Sequence, residues 1–288
     1  IQKHNPEFVF HLAAQPLVRT SYEKPIDTIN TNVMGSVNLL DCLRNQNKKT
    51  VCIIMTSDKC YDNSQQFFHK ESDPMGGYDP YSASKGATEL IISSYRNSFF
   101  NSNDSKNKIS LASIRAGNVI GGGDWAKDRI VPDCIKSWSI NQSVKIRNPN
   151  STRPWQHVFE PLSGYLSLAE KLTVDSKING EAYNFGPPAN QNHTVDELII
   201  EMNNYWHGIE WQYEIEKGEI FHEASLLKLN CDKALFDLNW VSTLNFEQTV
   251  KMTMEWYKEF YENESSNMLQ FSNEQIDSYM GLAVKNNL

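Results

Sequence analysis

Two short stretches of the chain carry side chains able to move protons. Tyr81 and Lys85 stand four residues apart in Tyr81-Ser82-Ala83-Ser84-Lys85, and on a helix that spacing puts phenol and ammonium side by side on one face. A free phenol keeps its proton up to a pKa of about 10, and a neighbouring cation favours the phenolate, so the pair can make a base for an alcohol. Upstream, Thr56-Ser57-Asp58-Lys59 sets hydroxyls, a carboxyl and an amine directly after the apolar run Val51-Cys52-Ile53-Ile54-Met55. That run reads as a strand buried on both faces of a parallel sheet, and the carboxyl end of such a strand is where open α/β sheets place ligands.

The Tyr/Lys spacing is weak evidence alone, since twelve tyrosines give roughly one Tyr-x-x-x-Lys by accident at average lysine usage. Tyr213 and Lys217 supply such an accident, in a stretch that alternates like a strand and ends at Gly218. For Tyr81 the bland alternative is a surface helix with an incidental lysine neighbour, so the elements around the pair have to decide.

Residues 8–14 read as a buried strand, 15–25 as a polar loop, and 26–45 as a helix with Ile29, Val33, Val37, Leu40 and Leu43 in helical rhythm. A loop over 58–77 follows the 51–55 strand, a helix over about 80–100 bears Tyr81 and Lys85, and 109–114 is a third strand. Strands separated by helices predict a parallel βαβ layout. Past Gly121-Gly122-Gly123 the rhythm changes: a helix over 130–140, a strand over 144–146, a turn-rich link over 148–154, a helix over 158–172 and a buried strand over 182–185. Helices over 194–206 and 246–261 and a strand near Trp211 complete a smaller lobe, and 263–288 reads as a polar tail with one short amphipathic piece. The expected division is therefore a sheet domain from 1–120 and 155–190, an α/β lobe from 121–154 and 191–262, and the tail.

The chain has 288 residues and is 40% hydrophobic, ample for a packed core. A net charge of −8 without a basic block argues against nucleic acid or an anionic membrane as partner. Five cysteines, an odd number with no Cys-x-x-Cys, indicate neither a disulfide framework nor a zinc site, and a reduced cytoplasm fits best. No metal is expected, and no apolar run approaches the roughly 18 residues of a membrane span.

Six motifs now stand in order: His11-Leu12-Ala13-Ala14, Asn32-Val33-x-Gly35, Thr56-Ser57, Tyr81-x-x-x-Lys85, Arg115-x-x-Asn118-Val119 and Arg153-Pro154-Trp155. Over residues 7–262 this series resembles the sugar-nucleotide branch of the extended short-chain dehydrogenase/reductase family. The resemblance implies an α/β fold: a Rossmann-like doubly wound parallel sheet, with a smaller α/β lobe that binds substrate. The family's Gly-x-x-Gly-x-x-Gly loop is absent, and Gly121-Gly122-Gly123 follows the wrong strand to replace it. By family comparison the first βαβαβ is missing, which leaves the nicotinamide half of an NAD site.

After Ser57, epimerases of the branch carry small or apolar residues, whereas its sugar 4,6-dehydratases carry an acid followed by a second ionisable group. Asp58-Lys59-Cys60-Tyr61, Gly121-Gly122-Gly123-Asp124-Trp125 and Arg153-Pro154-Trp155-Gln156-His157-Val158 resemble the dehydratases that act on CDP-glucose. The resemblance implies that Tyr81 takes the C4 hydroxyl proton, that Ser57 shares the hydrogen bond to that oxygen, and that Lys85 steadies the phenolate and holds the nicotinamide ribose. Asn32 would tie the lysine into a water chain. Asp58 would protonate the departing C6 hydroxyl and Lys59 take the C5 proton; the bland alternative is an Asp58–Lys59 ion pair that merely orders the loop. Leu12, Ala13, Ala14 and Ala116 fall at cofactor positions. Asn118, Arg129, Arg153 and His157 fall at substrate positions, Arg153 suited to a pyrophosphate by its planar fork. Arg129 reads almost as well as a surface charge at a helix start, and His157 as a structural core histidine. The resemblance also implies a homodimer through helices 26–45 and 80–100, and deoxysugar supply for a surface polysaccharide such as O-antigen in lipopolysaccharide. Two alternatives stay open: another epimerase or dehydratase of the family, and a non-catalytic dinucleotide-binding protein.

Overall fold

The apolar run at Val51 forms the inner strand of a sheet in which five of its six residues are buried. The structure, a computed structural model, describes residues 1, 3–62, 68–101, 104, 106–206, 210–213 and 228–286. Along the chain the elements are β1 (Phe8–His11), α1 (Val18–Glu23), α2 (Pro25–Ile29), α3 (Gly35–Leu43), β2 (Thr50–Met55), β3 (Phe68–His69), α4 (Pro80–Ser98), β4 (Ile109–Ala116), β5 (Val119–Ile120), α5 (Ile130–Trp138) and β6 (Val144–Ile146). They continue with β7 (Thr152–Arg153), β8 (Gln156–His157), α6 (Phe159–Val174), β9 (Ala182–Phe185), β10 (His193–Thr194), α7 (Val195–Asn203), β11 (Trp211–Tyr213), β12 (Lys228–Leu229), α8 (Asp232–Leu238), α9 (Phe246–Glu262) and α10 (Met268–Asn286). Tyr213 thus ends a strand, while Lys217 and Gly218 lie outside the described residues.

Two compact units result. The first comprises Ile1–Gly117, Leu162–Gly186 and Leu227–Val241, the last a segment that the sequence reading groups with the lobe. Its four-stranded sheet has the order β1-β2-β4-β9, and every pairing is parallel. The registers set Phe10 beside Ile53 and Ile53 beside Ala112, so the carboxyl ends of β1, β2 and β4 lie together. Leu40, Leu43, Cys52, Ile54, Ile92, Phe100 and Leu111 pack the core between the sheet and its helices.

Three expectations about elements need correction. β1 is not a buried strand: Phe8 and Phe10 are 44% and 37% exposed, because β1 pairs only with β2 and lies at the edge of the described sheet. The polar stretch 15–25 contains α1, anchored by Gln15, whose side chain accepts from Leu17 N at 2.6 Å and donates to the Thr28 hydroxyl at 2.8 Å. The tail is a 19-residue helix, α10. It docks through Tyr279 and Leu282, which pack with Leu244, Met252 and Phe159, and through polar groups among them, with Gln275 Nε2 donating to the Met252 carbonyl at 2.8 Å and Tyr279 Oη to Glu160 Oε2 at 3.0 Å.

The second unit comprises Asn118–Pro161, Pro187–Leu226 and Ser242–Leu288. Val131, Ile135, Trp138, Leu198, Met202, Val250 and Met254 form its core, with Trp206, Trp211 and Trp256 packed against it. Its short strand pairs are β5 with β8, β6 with β11 and β7 with β10. Capping boxes at Thr194/Glu197 and Asn245/Gln248 start α7 and α9, satisfying otherwise orphaned N–H groups at both helix ends.

Candidate active site

In the first unit, each candidate catalytic side chain comes from the end of a sheet strand or from the helix that follows. β2 stops at Met55, and Ser57 then caps a single 3-10 turn, Asp58–Cys60. Ser57 Oγ accepts the Lys59 N–H at 3.2 Å and donates to Asp58 Oδ1 at 2.9 Å. Adjacent residues on a regular strand face opposite ways, and the turn releases Asp58 and Lys59 from that rule. Asp58 is buried, its carboxyl set against Gly117 in space that any Cβ would invade, while Lys59 is half-buried. Neither enters an ion pair among the described residues, so the loop-ordering Asp58–Lys59 pair does not form.

Asp79 caps α4, its carboxylate accepting from Ser82 N at 2.9 Å and Ser82 Oγ at 2.6 Å, and Pro80 supplies the preset first turn. Tyr81 and Lys85 are both buried on that helix, with Lys85 Nζ 5.9 Å from the Tyr81 ring centre. Burial pushes the Lys85 ammonium down to about 8, against the opposing pull of Cys60 and Glu89. Its hydrogen bond among the described residues is a long one, 3.5 Å to the Met55 carbonyl. An ammonium has three donors, so two remain for the paired hydroxyls of a ribose, and this donor set fits the nicotinamide half of NAD.

Asn32 lies in a π turn, Asn30–Met34, that interrupts what the sequence reading takes as one helix, and such turns recur at functional sites. Its Nδ2 donates to Ser84 Oγ at 2.8 Å and to the Gln15 carbonyl at 3.1 Å, tying the turn to the helix of Tyr81 and Lys85. Leu12, Ala13 and Ala14 follow β1 and Ala116 closes β4, so all four stand at the same sheet end as Ser57. His11 faces the same region: burial, then the Lys85 charge, holds it below the ordinary histidine range.

In the second unit, Asn118 precedes β5 with a left-handed φ of 53°, and its carbonyl accepts from Gln156 N at 3.2 Å. His157 pairs with Ile120 across β5 and β8, is buried, and is pushed by that burial down to about 3. Asn118 Nδ2 and His157 Nε2 are buried without a hydrogen-bond partner among the described residues. Arg129 and Arg153 are not part of that pair. Arg129 stands at the position before α5 without capping it through its side chain, with Nη1 3.5 Å from Asp124 Oδ2, and Arg153 sits on β7, its Nη1 donating to the Thr152 carbonyl at 2.8 Å.

Sequence reasoning passed over Glu89 and Gly117. Glu89 follows Lys85 by four residues on the same helix and is buried in an ion pair with Arg115, so an acid on the Tyr81/Lys85 face was the available signal. Gly117 is marked only by the space it leaves for Asp58, which no sequence pattern displays.

The chain is similar in sequence and in fold to known proteins. The family model for GDP-mannose 4,6 dehydratase matches residues 1–253. The chain is 46% identical to CDP-glucose 4,6-dehydratase of Salmonella typhimurium, over 99% of this chain and 79% of that protein. It is 24% identical to dTDP-glucose 4,6-dehydratase of Haemophilus influenzae, over 89% of this chain and 77% of that protein. UDP-glucuronic acid 4-epimerase from Bacillus cereus, solved with UDP-glucuronic acid and NAD, has the same fold, with a TM-score of 0.77 at 19% identity over 90% of this chain and 78% of that one. An acid beside the Ser57 hydroxyl, a Tyr/Lys pair at one end of a parallel sheet and a family match across most of the sequence converge: the chain belongs to the GDP-mannose 4,6 dehydratase family.

Proposed function

We propose that the protein is a hydro-lyase that converts CDP-glucose to CDP-4-keto-6-deoxyglucose with NAD as cofactor. The observation that carries the reading is the turn Ser57-Asp58-Lys59, which sets a buried carboxyl and a half-buried amine at the sheet end that also holds Tyr81 and Lys85. An epimerase needs only the Tyr/Lys pair and a hydroxyl; the added acid and amine supply what elimination requires.

The hexose C5 hydrogen is not acidic until C4 is a ketone. NAD, when bound, supplies reversible hydride acceptance from C4 and return to C6. Tyr81 removes the C4 hydroxyl proton, Lys85 stabilises the phenolate electrostatically, and Ser57 hydrogen-bonds the same oxygen. Lys59 then takes the C5 proton, Asp58, hydrogen-bonded to Ser57, gives a proton to the C6 hydroxyl as it leaves as water, and Lys59 returns a proton to C5 when hydride reaches C6. Asn118, Arg129, Arg153 and His157 bind the nucleotide diphosphate, the arginines through charge and the orphaned Asn118 and His157 atoms through hydrogen bonds. The high identity to a CDP-glucose enzyme supports the choice of base.

The same reading makes the protein a homodimer that works in the cytoplasm, where nucleotide sugars and NAD are held, and supplies a deoxysugar for O-antigen of lipopolysaccharide. Ile26 on α2 and Leu90 on α4, 74% and 63% exposed, give the pairing helices apolar surface. No helix among the described residues is long and apolar enough to cross a membrane. Comparing kcat/KM for CDP-, dTDP-, UDP- and GDP-glucose, with the product identified by NMR, tests the assignment. A preference for dTDP-glucose, or a C4 epimer as product, overturns it.

A further inference from the structure

Glu89 is buried in the first unit, where an ionised carboxylate survives only if its oxygens are fully engaged. Four donors meet it: Thr56 Oγ1 at 2.5 Å, Ser113 Oγ at 2.8 Å, and Arg115 Nε and Nη2 at 2.9 Å each. Burial alone would raise Glu89, but these donors, Arg115 first, bring it below the usual carboxylate range, so it is the anion that is held. Arg115 is buried as well, and its Nη1 donates to Tyr61 Oη at 2.8 Å and to the Glu71 carbonyl at 3.1 Å. Tyr61 Oη in turn donates to Asn184 Oδ1 on β9 at 2.7 Å.

The network joins segments that carry or border proposed catalytic groups. Thr56 adjoins Ser57, and Arg115 lies two residues before Gly117, against which Asp58 rests. Tyr61 directly follows the turn that bears Asp58 and Lys59, and Glu89 itself lies one helical turn beyond Lys85. Replacing a buried ion pair with packed apolar residues is often neutral or stabilising, so fold stability alone gives little reason for these charges.

We propose that the Glu89–Arg115 ion pair is a positioning clamp that holds the ends of β2 and β4 against the middle of α4, one turn beyond Lys85, so that Ser57, Asp58, Tyr81 and Lys85 address one substrate. This rests on the functional reading above. Neither residue touches the reacting atoms; both act through the groups they hold. Small misplacement of a catalytic constellation is costly, about 100-fold for roughly 1 Å.

The test is the double variant Glu89→Met/Arg115→Met in the full protein, which fills the space without leaving an unpaired charge. The expected result is a melting temperature within a few degrees of wild type, KM for CDP-glucose changed less than about threefold, and single-turnover NAD reduction slowed about 100-fold. The alkaline limb of the rate should also move to lower pH. Lys85 is faced by Tyr81 and Glu89 from its own helix, by Cys60 from the turn and by His11 from β1, and the variant removes the anion that helps keep its proton. Wild-type rates and an unmoved limb in a folded double variant would overturn the clamp. Should the double variant fail to fold, Thr56→Val decides: it removes one donor and keeps the pair, and a rate loss of about 10-fold at unchanged KM supports the clamp, whereas none overturns it. A wild-type protein that does not dehydrate CDP-glucose refutes the functional reading instead.

Discussion

Gly117→Ala isolates the acid step. Asp58 packs its carboxyl over the α-carbon of Gly117; a Cβ there would lie 2.7 Å from Oδ1 and closer still to Oδ2 and Cγ. Carbon–oxygen contact becomes comfortable only near 3.5 Å, so the carboxyl has to retreat by about 1 Å or more. Its neighbours limit the retreat, because Asp58 is buried and Oδ1 is held by Ser57 Oγ at 2.9 Å. Overpacking of this kind costs about 1–3 kcal/mol of stability, and a catalytic group misplaced by about 1 Å loses roughly 100-fold. That loss should fall on departure of the C6 hydroxyl. Tyr81 and Lys85 stand on α4, and the atoms nearest the added Cβ all belong to Asp58, so C4 oxidation should persist within about tenfold, Ser57 being disturbed through its bond to Asp58. Stopped-flow absorbance on substrate and stoichiometric NAD should therefore show reduced nicotinamide forming and persisting, while mass spectrometry shows water loss delayed about 100-fold. Combining Gly117→Ala with Asp58→Asn should add little to Asp58→Asn alone, since both act on one group. The reasoning fails if folded Gly117→Ala eliminates water at the wild-type rate, or if it cannot reduce NAD at all.

Tyr81→Phe should block every step, whereas Lys59→Ala should reduce NAD and then stall at the 4-keto sugar with little solvent deuterium entering C5, a loss of about 10²–10⁴-fold in that step alone. Normal turnover by Lys59→Ala would move the C5 base elsewhere. His157, held near 3 by burial against an ordinary value of 6.5, takes up a proton more readily when the chain unfolds. The stability it confers is therefore whole above about pH 6.5 and drains as pH falls toward 3, by about 1.4 kcal/mol per pH unit. Urea midpoints at pH 7 and pH 5 should converge in His157→Asn relative to wild type. Leu90→Lys, a charge on the outer face of α4, should shift the protein toward monomer in light scattering, and an unchanged mass would remove that helix from the interface.

Much of the sheet unit was legible because its signals are local. A run of β-branched residues specifies β2 wherever it sits, and a spacing of four puts Tyr81 beside Lys85 on any helix, so strands, α4 and the Tyr/Lys pair needed no knowledge of neighbours. That Asp58 and Lys59 could serve one substrate also followed from a local condition, an early end to β2, which the 3-10 turn satisfies. Exposure of β1 could not be read in this way, since the same residues would be buried with a strand on either side. Nor could the full length of α10, whose buried face mixes Gln275 with Tyr279 and Leu282 and so dilutes the apolar signal.

Sequence by itself determined the residue types at the site, their order and the α/β class. Tertiary structure decided which of those residues hold one another. Thr56, Ser113 and Arg115 lie 24 to 33 positions from Glu89 and meet it only because β2 and β4 pair in one register beneath α4. Gly117 finds Asp58 through the same pairing. Hydrogen-bond and contact distances of about 3 Å are set by strand register and helix docking, which depend on the whole chain, whereas spacing along the sequence constrains only neighbours within a turn or two.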